Sequence, residues 1–171
     1  MNNMIIRRFV MTILCVLTFS MAYSQAESHV DFMGIPINGS ADDFCAELVK
    51  KGFILTGNHF TGDVSELTAW VAPNVENGIF YGVHVSFADT YYDLDEAEIV
   101  NEFVKTVLRD TYGIEFVEKE PSDPAVLFTY YAISEDGLFV DLIQEVREHD
   151  YGIDVDIIDI ANARLAGIIK W

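Results

Sequence analysis

Cysteine and basic residues are both scarce in this sequence. Two Cys in 171 residues are too few for a disulfide scaffold or for a zinc site built from paired cysteines. Only 10 Lys and Arg stand against 28 Asp and Glu, which gives a formal charge of -18. Because nucleic-acid binding depends on basic side chains that neutralise phosphates, this balance argues against a nucleic-acid partner.

Long apolar runs are also missing after the N-terminal segment. No later stretch approaches the ~18 consecutive apolar residues that indicate a membrane-spanning helix, so we expect no membrane insertion there. The chain is nevertheless 51% hydrophobic and has the length of a typical domain. The sequence therefore excludes collagen, coiled coil and integral membrane protein, and predicts one globular unit.

Residues 1–24 have the order of a secretory signal peptide. The segment carries two early arginines and no acidic residue, continues as an apolar run too short for a membrane span, and ends in Ala22-Tyr23-Ser24. We expect cleavage before Gln25, which leaves a single domain over residues 25–171. The expected location of the soluble product is the periplasm or the outside of the cell.

Two amphipathic helices are indicated in the mature part. Ser40 is a suitable N-cap for a helix over residues 41–51 that places Cys45 on its apolar stripe, where a free Cys most often packs as a small hydrophobe. Asp93 begins a second helix that ends at Gly113. The apolar stripe of the second helix consists of Ile99, Val100, Phe103, Val104, Val107 and Leu108.

The remaining sequence is typical of strands, because β-branched and aromatic residues alternate with polar ones between turn-forming clusters. The candidate strands are residues 30–37, 53–57, 66–72, 79–88, 114–119, 125–133, 138–147 and 153–161. Gly57 to Gly62 is interpreted as a polar turn. Helices separated by consecutive strands predict an α+β fold, with an antiparallel sheet of about six to eight strands and two amphipathic helices packed on it.

The two helices begin similar segments. Each has Phe followed by a small apolar residue, then two more apolar residues, a basic residue, Gly and a strand, as in Phe44 to Phe53 and Phe103 to Ile114. Each segment continues into about three predicted strands. This similarity indicates two helix-plus-three-strand repeats that share one sheet, although amphipathic helices before strands resemble one another by default.

Few residues indicate chemistry, and no established catalytic motif is present. His84 and Ser86 point to the same face of a strand and could begin a nucleophile–base pair, but a solvated or edge-strand face is the simpler interpretation. Asp154 and Asp156 likewise share a face, with Asp159 on the other. We predict no catalytic residue, no metal ligand and no cofactor.

Calcium is the one ion that the acidic residues could attract, because hard cations prefer carboxylate oxygens. Neither acidic group has the spacing of a twelve-residue calcium loop. Acidic residues also favour a helix N-terminus without any metal. The two groups are Asp89, Asp93, Asp95, Glu96 and Glu98 before and within the second helix, and Asp150, Asp154, Asp156 and Asp159 near the C-terminus.

Aromatic residues suggest a recognition surface for a protein or carbohydrate partner, since Tyr and Trp combine stacking area with a polar group. Core and sheet packing is the alternative interpretation for most of them. The candidate binding residues are Trp70, Tyr91, Tyr92, His84, Asp154 and Asp156.

The stretch after the predicted cleavage point resembles a known pattern. Phe32 to Ser40, followed by Asp43-Phe44 and by Leu48 to Phe53, is similar to a segment of small, uncharacterised exported proteins of Bacteroidetes-type bacteria. The resemblance covers about 30 residues. It implies export and adds no catalytic residue.

These features favour a non-catalytic binding module, such as an acidic inhibitor or accessory protein for a protein partner. The excess of negative charge suits a cationic partner, and the aromatic residues suit a contact surface. Two alternatives stay open, a small secreted hydrolase that uses carboxylates and a calcium-stabilised structural protein.

Overall fold

The N-terminal hairpin forms a small sheet of its own. In the computed structural model, which describes residues 30–91, 93–147 and 150–170, β1 (Asp31–Phe32) pairs with β2 (Ile35–Pro36). Met33 and Gly34 both have positive φ between them. This tight turn splits the single strand predicted over residues 30–37 into two short ones.

The remaining elements confirm an α+β fold built on an eight-strand antiparallel sheet. In chain order they are α1 (Ala41–Lys50), β3 (Ile54–Thr56), β4 (His59–Val64), β5 (Leu67–Glu76), β6 (Ile79–Tyr91), α2 (Leu94–Tyr112), β7 (Val117–Lys119), β8 (Val126–Ile133), β9 (Leu138–Val146), β10 (Tyr151–Asp159) and α3 (Ile160–Ala166). None of the described helices is both long enough and apolar enough to cross a membrane.

The helix starts follow their predicted caps. The Ser40 side chain accepts a hydrogen bond from the Asp43 N–H, and Asp93 accepts one from the Asp95 N–H. The predicted stripe of α2 is only partly correct, because Ile99 and Phe103 are exposed. The buried side chains of α2 are Ala97, Asn101, Val104, Lys105 and Leu108.

Two elements were not predicted. The polar turn expected from Gly57 to Gly62 is wrong, because most of this segment belongs to β4. Gly62 lies within the strand, where a Cβ would overlap the ring of Phe53, so the glycine serves close packing and not a turn. The helix α3 follows β10 directly, although the predicted strand extends to residue 161. Asp159 caps this helix, because its side chain accepts a hydrogen bond from the Asn162 N–H. The described residues form three helices, one more than the two that the sequence predicts.

The order of strands in the sheet is β3–β4–β5–β6–β10–β9–β8–β7. Each half consists of a helix followed by four consecutive strands, and the last strand of each half lies at the centre. Two units, each with a helix and consecutive strands, share one sheet, and each unit has four strands rather than about three. In the first unit β4 was missed, whereas the candidate strands of the sequence include all four strands of the second unit.

The two central strands carry matching sequences. Gly82-Val-His-Val-Ser-Phe87 of β6 corresponds to Gly152-Ile-Asp-Val-Asp-Ile157 of β10. Val85 pairs with Val155, which is its equivalent in the other strand. On either side of this pair, His84 lies opposite Asp156 and Ser86 lies opposite Asp154, so the pairing is unchanged when the two strands are exchanged. A pseudo-two-fold axis therefore passes through the centre of the sheet.

The core lies on one face of the sheet only. Phe44 of α1 packs on Phe80, and Val104 of α2 faces the same apolar space as Val85 and Val155. Cys45 is half-buried against this core. The alternate side chains of the strands point to the opposite side, which neither α1 nor α2 covers and which we call the open face.

Candidate functional site

Polar side chains meet at the centre of the open face, where β6 and β10 run side by side. His84 is directly opposite Asp156, and Ser86 is directly opposite Asp154. Strand alternation explains this, because the residues between them fill the core on the other face. Together with Arg147, these four side chains form what we call the central cluster.

The imidazole of His84 lies between two carboxylates. Its Nδ1 is 3.1 Å from Oδ1 of Asp156, and its Nε2 is 3.8 Å from Oδ1 of Asp154. Asn74 donates from Nδ2 to the same Asp156 oxygen at 3.0 Å. The hydrogen bond to Asp156, together with the two negative charges, raises the pKa of His84 against the opposing effects of burial and Arg147.

Arg147 links the other half of the cluster. Its Nη2 lies 2.9 Å from Oδ2 of Asp154 and donates to Oγ of Ser86 at 3.2 Å, while its Nε donates to Glu145 at 3.1 Å. The guanidinium occupies the space where a Cβ at Gly152 would lie. The absence of a side chain at this glycine therefore lets Arg147 fold back over β10.

These contacts do not form a nucleophile–base pair. The Ser86 hydroxyl accepts a hydrogen bond from Arg147, whereas both nitrogens of His84 face carboxylates. The simpler interpretation of a solvated or edge-strand face is also wrong in part. The strand is central in the sheet, and Ser86 is only 7% exposed.

Trp70 lies beside the central cluster on the neighbouring strand β5. It pairs with Ser86 across the β5–β6 ladder, and its ring stacks on His59 with centroids 4.9 Å apart. The side chain is 43% exposed, so its free surface faces solvent. An exposed Trp held by stacking has little conformational entropy left to lose on binding.

The structure brings four of the six predicted binding residues together, namely Trp70, His84, Asp154 and Asp156. The backbone of Tyr91 pairs with Tyr151 at the end of β6, but the side chain of Tyr91 lies outside the described part. Tyr92 lies outside the described residues altogether.

Sequence reasoning missed a second feature of the open face, on the other side of β10. Asp141 of β9 is opposite Asp156 on one side and opposite Tyr131 of β8 on the other. Burial, with the charge of Asp156, raises the pKa of the Asp141 carboxyl. Asp141 borders a concavity of about 590 Å³, which is lined by Glu118, Lys119, Tyr131, Ile133, Phe139 and Asp141.

Several of the acidic residues considered for calcium have other roles in the structure. Asp93 and Asp159 cap helices, and Asp154 binds Arg147. Among the described residues, no three His, Cys, Asp or Glu side chains are grouped so as to hold a metal ion. The backbone of Asp89 belongs to β6, but its side chain lies outside the described part.

Comparisons with known proteins identify no relative. No protein-family model matches the chain. No curated protein and no solved structure matches it at a significant level. The geometry of the open face is therefore the basis for inferring function.

The raised pKa of His84 predicts a pH-dependent contribution to stability. Because the folded value lies above the ordinary value of about 6.5, the native state binds the proton more tightly than the unfolded chain. The stabilisation is fully present below pH ~6.5 and is lost as the pH rises through the folded pKa. We expect His84→Gln to remove it, at a cost below about 1 kcal/mol, since the side chain is 41% exposed and screened by solvent.

Chemical denaturation of wild type and His84→Gln between pH 5.5 and 9 measures this effect. The difference in unfolding free energy should be largest at the acid end and shrink toward the alkaline end. His59→Gln is the control, because His59 forms no ion pair in the described part of the chain. A difference that grows with pH would contradict the assigned contacts.

Proposed function

We propose that the protein is a non-catalytic binding module that docks a positively charged protein partner on the open face. The composition of that face is the observation that carries the proposal. Its centre is polar and mainly acidic, and its two flanks expose apolar and aromatic side chains. Exposed aromatic and apolar side chains commonly serve as anchors in protein interfaces, and an acidic surface between them favours a basic partner.

The two flanks occupy equivalent positions in the two halves of the sheet. Ile54 of β3 pairs with Thr61 beside Trp70, and Val117 of β7 pairs with Tyr131. Ile54, Trp70 and Val117 are all exposed. A partner that contacts both flanks would therefore also lie across the central carboxylates.

The size of the face suits a protein better than a small ligand. Eight strands at a spacing of ~4.8 Å span about 34 Å from β3 to β7. A protein interface of standard size buries about 800 Å² per partner, which a face of this width can supply. The face is broad, and the concavity beside Asp141 occupies one flank of it.

Charge supports a basic partner. The formal charge of -18 would accelerate encounter with a positively charged surface, and salt would screen that attraction. The signal-peptide features of residues 1–24, and the resemblance of the following segment to small exported proteins of Bacteroidetes-type bacteria, support a meeting place in the periplasm or outside the cell.

Affinity capture with residues 25–171 tests the proposal. Immobilised wild type, Trp70→Ala and Ile99→Ala are exposed to periplasmic and culture-medium fractions at low and high salt, and the bound proteins are identified and titrated. Ile99 is the matched control, because it is an exposed apolar residue on the helix that covers the opposite face.

We expect one basic protein to bind wild type and Ile99→Ala equally, and to be released by high salt. Trp70→Ala should weaken it about tenfold or more, as for an aromatic anchor in an interface. A partner that is sensitive to Ile99→Ala and indifferent to Trp70→Ala would move the interface to the helical face. Failure to capture any protein would contradict the proposal.

A further inference from the structure

We propose that the concavity between β7, β8 and β9 receives a basic side chain, arginine or lysine, of the protein partner. This inference rests on the proposed function and deepens it, because it assigns one residue class of the partner to one place on the open face. The occupant follows from the chemistry of the lining, which combines aromatic rings with a half-buried carboxylate that forms no ion pair among the described residues.

The side chain of Asp141 is half-buried. Its carboxylate makes no side-chain hydrogen bond and no ion pair with another residue that the structure describes. Its neighbour Asp156 uses Oδ1 to accept from both His84 and Asn74. Two adjacent carboxylates therefore face one another across β9 and β10, and a cation would relieve their repulsion.

Aromatic side chains lie next to this carboxylate. Tyr131 is directly opposite Asp141 in the β8–β9 ladder, and Phe139 is opposite Ile133 one pair further along the same face. A guanidinium or ammonium group over an aromatic face gains a cation–π attraction in addition to its ion pair. The aliphatic stem of Arg or Lys would lie against Ile133, as long basic side chains commonly do.

Lys119 lines the same concavity and is the natural competitor. It pairs with Thr129, two residues along β8 from Tyr131, and forms no ion pair among the described residues. Its charge lowers the pKa of Asp141, against the larger effect of burial. Because Lys119 repels a second cation in the concavity, removing that lysine should tighten the binding of the partner's basic side chain.

The equivalent place in the other half of the sheet is built differently. The position of Asp141 corresponds to Trp70, and the position of Tyr131 corresponds to Thr61. That flank therefore has an indole ring, stacked on His59, where the other flank has a carboxylate. The ion pair with Asp141 has no counterpart at this equivalent position, which favours one orientation of the partner on a sheet of pseudo-two-fold symmetry.

A small probe tests this subsite without the partner. N-acetyl-arginine amide is titrated into residues 25–171 and followed by the NMR signals of the Tyr131 and Phe139 rings. N-acetyl-citrulline amide, which has a similar shape and no charge, is the matched probe. We expect saturable shifts with the arginine compound, at millimolar concentrations, and none with the citrulline compound.

Variants assign the binding to the lining residues. Asp141→Asn should weaken the arginine compound at least about fivefold, since it removes the ion pair and leaves the rings in place. Lys119→Gln should strengthen it about twofold or more by removing a like charge. Asp63→Asn, an exposed carboxylate on β4 at the opposite flank, should change nothing.

Equal shifts from the citrulline compound, or unchanged affinity in both Asp141→Asn and Lys119→Gln, would overturn the subsite. The Lys119→Gln result keeps the test decisive even if Asp141→Asn disturbs folding. A partner captured through Trp70, combined with no arginine binding here, would overturn this inference and leave the docking surface in place. Arginine binding with no captured partner would keep the cation subsite and overturn the proposed protein partner.

Discussion

Gly82→Ala should lower the free energy of unfolding by about 3 kcal/mol, at the upper end of what one overpacked methyl group costs. An added Cβ would lie 2.7 Å from the backbone oxygen of Ile157 and 3.2 Å from the side chain of Ile158. The oxygen belongs to β10, the strand that joins the two halves of the sheet. This oxygen can move away from the added Cβ only if the pairing between β6 and β10 is disrupted.

Chemical denaturation of the variant measures this cost. Gly39→Ala is the matched control, because a Cβ there meets nothing within 4 Å and its backbone does not require glycine. The control should stay within about 0.5 kcal/mol of wild type. A Gly82→Ala protein as stable as the control would show that β6 and β10 do not approach as closely as described.

Arg147→Met should destabilise the protein by about 2 kcal/mol, because it removes the 2.9 Å ion pair with Asp154 and the hydrogen-bond donor of Ser86. The Asp154 side chain is only 17% exposed, so water replaces the lost contacts poorly. The substitution retains much of the side-chain volume over Gly152, which separates the effect of charge from that of packing.

A double-mutant cycle with Asp154→Asn isolates the pair. Each single variant removes the same Arg147–Asp154 ion pair, so the double variant should lose less stability than the two single losses combined, by about 1 kcal/mol or more. Lys50→Met is the control, since its pair with Glu47 is exposed and should contribute almost nothing. Additive losses at Arg147 and Asp154 would show that the two side chains do not interact.

Local chemistry made the helices predictable. Ser40 and Asp93 begin α1 and α2 as expected, and Gly113, with φ 64°, ends α2. The same local reasoning failed at Gly62 and Asp159. At Gly62 a tertiary contact with Phe53 explains the glycine, and at Asp159 one residue both ends a strand and caps a helix.

The sequence alone could predict only part of the candidate site. Strand alternation places Asp154 and Asp156 on one face, because that rule concerns neighbours in the chain. Their partners come from elsewhere, His84 from β6 and Arg147 from the residue after β9. The register between distant strands brings these side chains together, and a single sequence does not contain that register in readable form.

The missed concavity has the same cause. Phe139 and Asp141 lie two residues apart on β9, but Tyr131 belongs to β8, and only the β8–β9 pairing places it beside them. The internal repeat did offer a usable signal. Alignment of Gly82 to Phe87 with Gly152 to Ile157 marks the two central strands, and their alternate positions are the polar residues of the cluster.

If the open face docks the basic partner, that face and not the helical face loses solvent contact in the complex. Hydroxyl-radical footprinting of residues 25–171, alone and with the captured partner, measures this loss residue by residue. We expect Trp70 and Tyr131 to become protected while the exposed side chains Ile99 and Phe103 react as before. Protection of Ile99 and Phe103 with unchanged reactivity at Trp70 and Tyr131 would contradict it.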